Sequence, residues 1–192
     1  YGSVTTTAVN RKQLLGGSLN EKMLCIAVET TGDRGSFTID ELSFAVTNST
    51  HLSGMKVFYT GTSSVYSSEA VLFGTEQTGD APVFSGSQSI TEPGTYYFWL
   101  ACDIKTDAEV GAVISFVPAG ITVNGGIADL GTPETATLTV KDGFHGTHAV
   151  GVNGEYKTLA SAIEDMGIDG INGPVILELE SGTYDEAVII PE

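Results

Sequence analysis

Basic residues are scarce in this chain: eight Lys and Arg stand against 24 Asp and Glu, a formal charge of −16. Nucleic acid and anionic membrane surfaces both require a basic footprint, so this composition argues against either as a partner. No apolar run approaches the roughly 18 residues that a membrane-crossing helix needs, and the residues from Tyr1 onward do not read as a signal peptide. The expectation is a soluble chain with no membrane span.

Cysteine is nearly absent. Cys25 in "KMLCIAVET" and Cys102 in "YFWLACDIK" each sit in a strand-like apolar run. Two readings stay open: small buried hydrophobes, the commoner state of such thiols, or a disulfide if the two strands lie close together. No feature marks either one as an activated thiolate, so neither is assigned to catalysis. Also missing are a Gly-rich phosphate loop, a Walker sequence and any Ser/His/Asp spacing. No catalytic, cofactor-binding or metal-binding residue is assigned from the sequence, and no cofactor is expected.

What is present is a pattern of short β-branched and aromatic runs between Gly-rich breaks. From Val4 to Val140 it runs "VTTTAV", "KMLCIAVET", "GSFTIDELSFAVT", "MKVFYT", "AVLFGT", "TYYFWLACDI", "AVISFV", "GITVNG" and "ATLTV". About eight or nine strands at this spacing predict an antiparallel sandwich or barrel. Leu42, Phe44 and Val46 alternate with Ser43, Ala45 and Thr47, which gives that strand one buried face. In "TYYFWLACDI" both faces are heavy, with Tyr96, Phe98, Leu100, Cys102 and Ile104 on one and Tyr97, Trp99 and Ala101 on the other. The expectation is a strand central in its sheet, with its second face partly covered.

The charge is uneven. Residues 142–192 hold ten acidic side chains and one basic one, Lys157, whereas residues 1–141 hold fourteen and seven. The break suggests two domains, 1–141 and 142–192. In the second, Leu159, Ala162, Ile163 and Met166 fall at i, i+3, i+4 and i+7, the stripe of a short helix that Thr158 caps and Gly167 ends. "GPVILELESGTY" follows as a strand, with Val175, Leu177 and Leu179 on one face and a turn at Ser181 and Gly182.

Two resemblances bear on these segments. The blocks "VFYTGTSS", "LFGT" and "YYFWLACDI", in that order within residues 4–140, resemble the N-terminal β-sandwich domain of BNR-repeat neuraminidases, of which related copies recur in secreted proteins of Bacteroidetes-type bacteria. The resemblance implies a Greek-key or Ig-like fold and a non-catalytic, carbohydrate-associated or adhesive module, extracellular or at the cell surface, whose partner is a glycan or a surface protein. The propeller motif S-x-D-x-G-x-x-W of those enzymes is absent, so their activity does not transfer.

The second skeleton, "YKTLASAI" followed by "VILELESGTYDE", resembles the N-terminal entrance of right-handed parallel β-helices such as pectate lyases. It implies that residues 142–192 are the cap and first rung of such a helix. A β-helix buries its core only by stacking rungs, so the chain is expected to continue past Glu192 and to pack against the remainder of its own polypeptide. The natural protein would then be a larger one, with a polysaccharide lyase or esterase site downstream as the enzymatic alternative, or a β-helical stalk as an adhesive one. The other organisation is a small αβ appendage packed on the sandwich.

The remaining polar and aromatic candidates have bland readings beside the sharp ones. His145 and His148 in "FHGTHAV" have the HxxH spacing of a metal pair but no third ligand, and read as polar residues in a connection. Asp103, Asp107 and Glu109 offer oxygens to calcium without the EF-hand pattern, and read as an acidic solvated turn. Asp185 and Glu186 are adjacent, so on a strand they point to opposite faces and read as a rung corner. Tyr59, Tyr66, Tyr97 and Trp99 are aromatics of the kind that stacks on a sugar ring, although Trp99 on so aromatic a strand reads first as core. Asn48 in "NST" matches a glycosylation acceptor, relevant only in a eukaryotic secretory host.

Overall fold

The computed structural model describes residues 2–8, 13–31 and 35–188, and the chain divides into two compact units, Tyr1–Val140 and Lys141–Glu192. The first unit is built of strands β1 (Ser3–Ala8), β2 (Gln13–Leu15), β3 (Glu21–Thr30), β4 (Phe37–Thr47), β5 (Leu52–Gly61), β6 (Val71–Leu72), β7 (Val83–Ile90), β8 (Gly94–Ile104), β9 (Val113–Val123), β10 (Gly126–Ala128) and β11 (Ala136–Lys141). They form two sheets, one ordered β1-β3-β8-β5-β6 and the other β2-β11-β9-β4-β7, with β10 folded back on β9. This is a β-sandwich, and its core is the apolar side of both sheets.

Strand alternation explains the core. Leu42, Phe44 and Val46 all face inward and are buried, and Phe44 meets Phe84 edge-on at 5.8 Å. Phe98, Leu100, Cys102 and Ile104 enter from β8, and Ile114, Phe116, Ile121 and Val123 from β9. Truncating one of the buried rings to Ala would cost about 3–5 kcal/mol, through lost transfer energy and the cavity left behind.

Among the elements that differ from the sequence expectation, three show a physical reason. "AVISFV" and "GITVNG" form one strand, β9, because Pro118, which lacks an N–H, sits where the register against β4 shifts between Ser43 and Phe44. "AVLFGT" contributes only the two-residue β6, since its Phe73 turns inward onto Phe98 at 5.3 Å. The edge strand β7, "VFSGSQSI", carries too few large residues to announce itself. Gly86 within it is required by close approach, because a Cβ there would meet the Phe73 ring at 2.7 Å.

In the second unit, β12 (Phe144–Val150) and β13 (Ile171–Leu179) pair in parallel, joined through α1 (Leu159–Asp169). Thr158 caps the helix by accepting from Ser161 N at 3.1 Å, and Ala162 and Ile163 are its buried positions. The helix runs past Gly167 and stops at Gly170, whose φ of 72° lies where side chains are disfavoured and whose N–H bonds Met166 O. Over residues 183–188 there is no strand after the Ser181–Gly182 turn. Residues 189–192 fall outside the described residues.

Candidate functional site

Outward positions of antiparallel sheets usually meet water and are polar, but the first sheet of the sandwich places aromatics there. On β8, Trp99 lies in register between Cys25 on β3 and Phe58 on β5. Tyr66, from the loop after β5, closes over them edge-on, 5.8 Å from Phe58 and 5.9 Å from Trp99. Trp99 is left 8 % exposed and its Nε1–H donates to Thr60 Oγ1 at 3.1 Å. Lys22 Nζ stands 5.9 Å from both the Tyr66 and Trp99 ring centroids, within cation–π range. Tyr97 packs at the half-buried margin of the cluster.

A polar network adjoins these rings. Tyr66 Oη donates to Asn20 O at 2.6 Å. Asn20 N donates to Asp103 Oδ1 at 2.6 Å, and Lys56 Nζ donates to Asp103 Oδ2 at 2.5 Å and Asn20 Oδ1 at 3.2 Å. Glu76 Oε2 lies 3.6 Å from the same ammonium. Asn20 holds φ 51°, a left-handed conformation that Asn tolerates better than most residues.

Burial, with the nearby Glu21 and Asp103 charges, pushes the Tyr66 phenol up to about 12, and burial pushes the Cys25 thiol up to about 12. Cys102 on the inner face is driven up as well, by burial and then by the Asp103 and Glu21 charges. Near neutral pH both thiols and the phenol therefore stay protonated, and this face lacks an activated nucleophile among these groups. The arrangement suits contact: two half-buried tyrosines and a lysine around a packed aromatic floor.

The structure separates most of the sequence candidates. Cys25 and Cys102 are both free and buried, on opposite faces of one sheet, which decides between the two readings left open above. Tyr59 leaves the aromatic group, since it packs inward on Phe98 at 4.9 Å. Asp103 corrects the solvated-turn reading: it is buried on β8 and paired with Lys56, because the turn begins only after Ile104. Asp107 and Glu109 are exposed in that turn.

His145 Nδ1 faces Gly143 O at 2.7 Å and Asp142 at 3.6 Å, while His148 pairs with Glu155, so each imidazole has its own partner. Glu186 has a role that the rung-corner reading did not supply. Its two oxygens accept from Leu159 N and Ala160 N at 2.9 and 3.0 Å, adding a negative charge where the start of α1 leaves N–H groups unpaired. Asp185 beside it is exposed. Asn48 is held at φ 56° with its Nδ2 donating to Val113 O at 2.7 Å, so the amide of that acceptor sequence already has a structural role. Sequence reasoning missed Asn20, Lys22, Lys56 and Thr60, whose partners lie far away along the chain.

No family model matches the sequence, and no curated protein matches it significantly. Among solved structures, the chain is similar to the Hadza microbial sialidase Hz136, with a TM-score of 0.55 and 13 % identity over 71 % of this chain and 31 % of that one. The chain thus spans under a third of the sialidase, and at that identity the likeness shows the fold alone. A family 123 glycoside hydrolase from Clostridium perfringens matches at a TM-score of 0.36, with 12 % identity over 72 % of this chain and 27 % of that one. The sixth cohesin of scaffoldin B from Acetivibrio cellulolyticus matches at 0.34, with 15 % identity over 72 % and 98 %. Those two scores are too low to carry an argument.

Proposed function

We propose that the sandwich is a non-catalytic, carbohydrate-associated or adhesive module of a larger secreted protein, extracellular or at the cell surface, of the kind found in Bacteroidetes-type bacteria. The observation that carries this reading is the sandwich fold shared with the sialidase, in which more than two thirds of the chain lies outside the matched region. Its chemistry fits: Tyr66, Tyr97 and Lys22 offer ring faces and one cation, the groups that hold sugar rings and their acidic substituents. A glycan array probed with this protein tests it, together with a pull-down from surface-protein extracts. Binding that Tyr97→Ala or Lys22→Ala weakens at least tenfold is expected. A blank in both experiments reduces the sandwich to a spacer.

We also propose that the second unit opens a right-handed parallel β-helix. Its support is the parallel register of Gly146–Val150 with Val175–Leu179 across α1, and the exposed aliphatics Ile176 and Leu179 on β13. Further rungs pairing with the edge of β13 would stack their own side chains beside these. If those rungs form a polysaccharide lyase or esterase, the longer natural protein will release unsaturated or de-esterified product from pectins or glycosaminoglycans. Uniform rungs and no such product would instead favour a stalk.

A further inference from the structure

On β12, His148 is held from both sides. Its Nδ1 lies 2.9 Å from Glu155 Oε2, and its Nε2 lies 2.9 Å from the backbone oxygen of His145. The ring is stacked on Phe144 with centroids 4.1 Å apart, and Tyr156 meets it edge-on at 5.9 Å. Both partners are acceptors. A neutral imidazole has one N–H and one lone pair, so only the imidazolium satisfies both contacts. Deprotonated, one ring nitrogen would turn a lone pair toward an oxygen lone pair at hydrogen-bond distance.

We propose that His148 is a protonation latch of the second unit: as imidazolium it ties the loop that carries Glu155 to the start of β12, and losing its proton releases one of the two ties. The consequence reaches the backbone because Glu155 precedes Tyr156, the residue that bridges Val150 in parallel. Tyr156 N donates to Ala149 O at 3.1 Å and Gly151 N to Tyr156 O at 2.8 Å. Residues 151–157 then lead into the cap of α1.

Other titratable and charged groups stand close to this ring, each with its own partner. Tyr156 is pushed up to about 12 by burial and then by Asp165, with Glu155 and Asp169 adding to it, so it keeps its proton. From β13 the register partner is the uncharged Leu177. Asp142 faces His145, and Lys157 Nζ donates to Val152 O and Gly154 O. The Glu155 hydrogen bond raises His148, burial opposes it, and the His145 carbonyl adds to the rise, so the net direction is upward. A histidine raised on folding contributes stability that is fully present below its unfolded value of about 6.5 and is lost as pH rises through the folded value.

Ring-proton NMR titration of this protein tests the latch. The expected midpoint for His148 lies above about 6.5, and Glu155→Gln lowers it. Amide exchange, corrected for base catalysis, should show protection at Gly151 and Tyr156 falling at least fivefold between about pH 5.5 and 8.5, and no such fall in His148→Gln. If His148→Gln does not fold, Glu155→Gln serves in its place, with the fall displaced to lower pH. A midpoint at or below 6.5, or protection at those two amides independent of pH, overturns the proposal.

Discussion

Lys56 on β5 and Asp103 on β8 form an ion pair, Nζ to Oδ2 at 2.5 Å, with side-chain exposures of 20 % and 10 %. The two residues are 47 positions apart, and only the pairing of their strands brings them together. Lys56→Met leaves the Asp103 carboxylate buried with one hydrogen bond from Asn20, and should cost about 3 kcal/mol. Lys56→Met/Asp103→Leu should recover much of that loss, since a buried pair replaced as a whole by apolar groups is close to neutral. Urea midpoints of the two variants and the native chain give the comparison.

The same pair sets a pH dependence at the alkaline end. Burial lowers the Lys56 ammonium, but the Asp103 hydrogen bond and charge, with Glu76, outweigh it and hold the amine above its usual range. A lysine raised on folding contributes stability that is fully present below about pH 10.4 and is lost as pH rises through the folded value. Stability measured against pH above 10 should therefore fall less steeply in Lys56→Met than in the native chain.

Thiol chemistry should distinguish the two faces of the first sheet. Neither Cys25 nor Cys102 is expected to react with an aromatic disulfide reagent in the native protein near pH 8, because both are buried and both thiols are pushed up. Tyr66→Ala removes the ring over Trp99 and Cys25, so Cys25 alone should become reactive while Trp99 fluorescence shifts to the red. Equal rates at both cysteines would show that the variant had loosened the whole sandwich instead.

Glu186→Ala should loosen the first turn of α1. The carboxylate supplies two hydrogen bonds and a charge at a helix N-terminus, together about 1 kcal/mol. Faster amide exchange at Leu159 and Ala160, with exchange at the core of the sandwich unchanged, is the expected readout.

The periodic features of this fold were legible in its sequence, and the distant ones were not. Alternation placed Leu42, Phe44 and Val46 inside, and the double-faced β8 announced a central strand with a cover, because both follow from residues two apart. The identity of that cover, Tyr66, depends on a loop path that no local period encodes. By sequence Asp103 reads as part of an acidic turn, because Asp107 and Glu109 follow it, while the lysine that neutralises it comes from another strand. The end of α1 was misplaced because Gly167 and Gly170 carry the same breaking propensity. Gly167 costs about 1 kcal/mol inside a helix, but only at Gly170 does the backbone leave the helical region. The role of Glu186 was hidden in the same way, 27 residues from the amide it caps.

Asn20 spends its backbone N–H, its side-chain oxygen and its backbone oxygen on Asp103, Lys56 and Tyr66 in turn. The loop after β5 is therefore tied to this network by the Tyr66 hydroxyl as well as by its ring, and Thr62–Val65 between β5 and Tyr66 are exposed. Chain added between Ser64 and Val65 would lengthen a tether without moving what it secures. That makes this short stretch the natural place to graft a peptide or a label onto the sandwich while leaving its aromatic face intact.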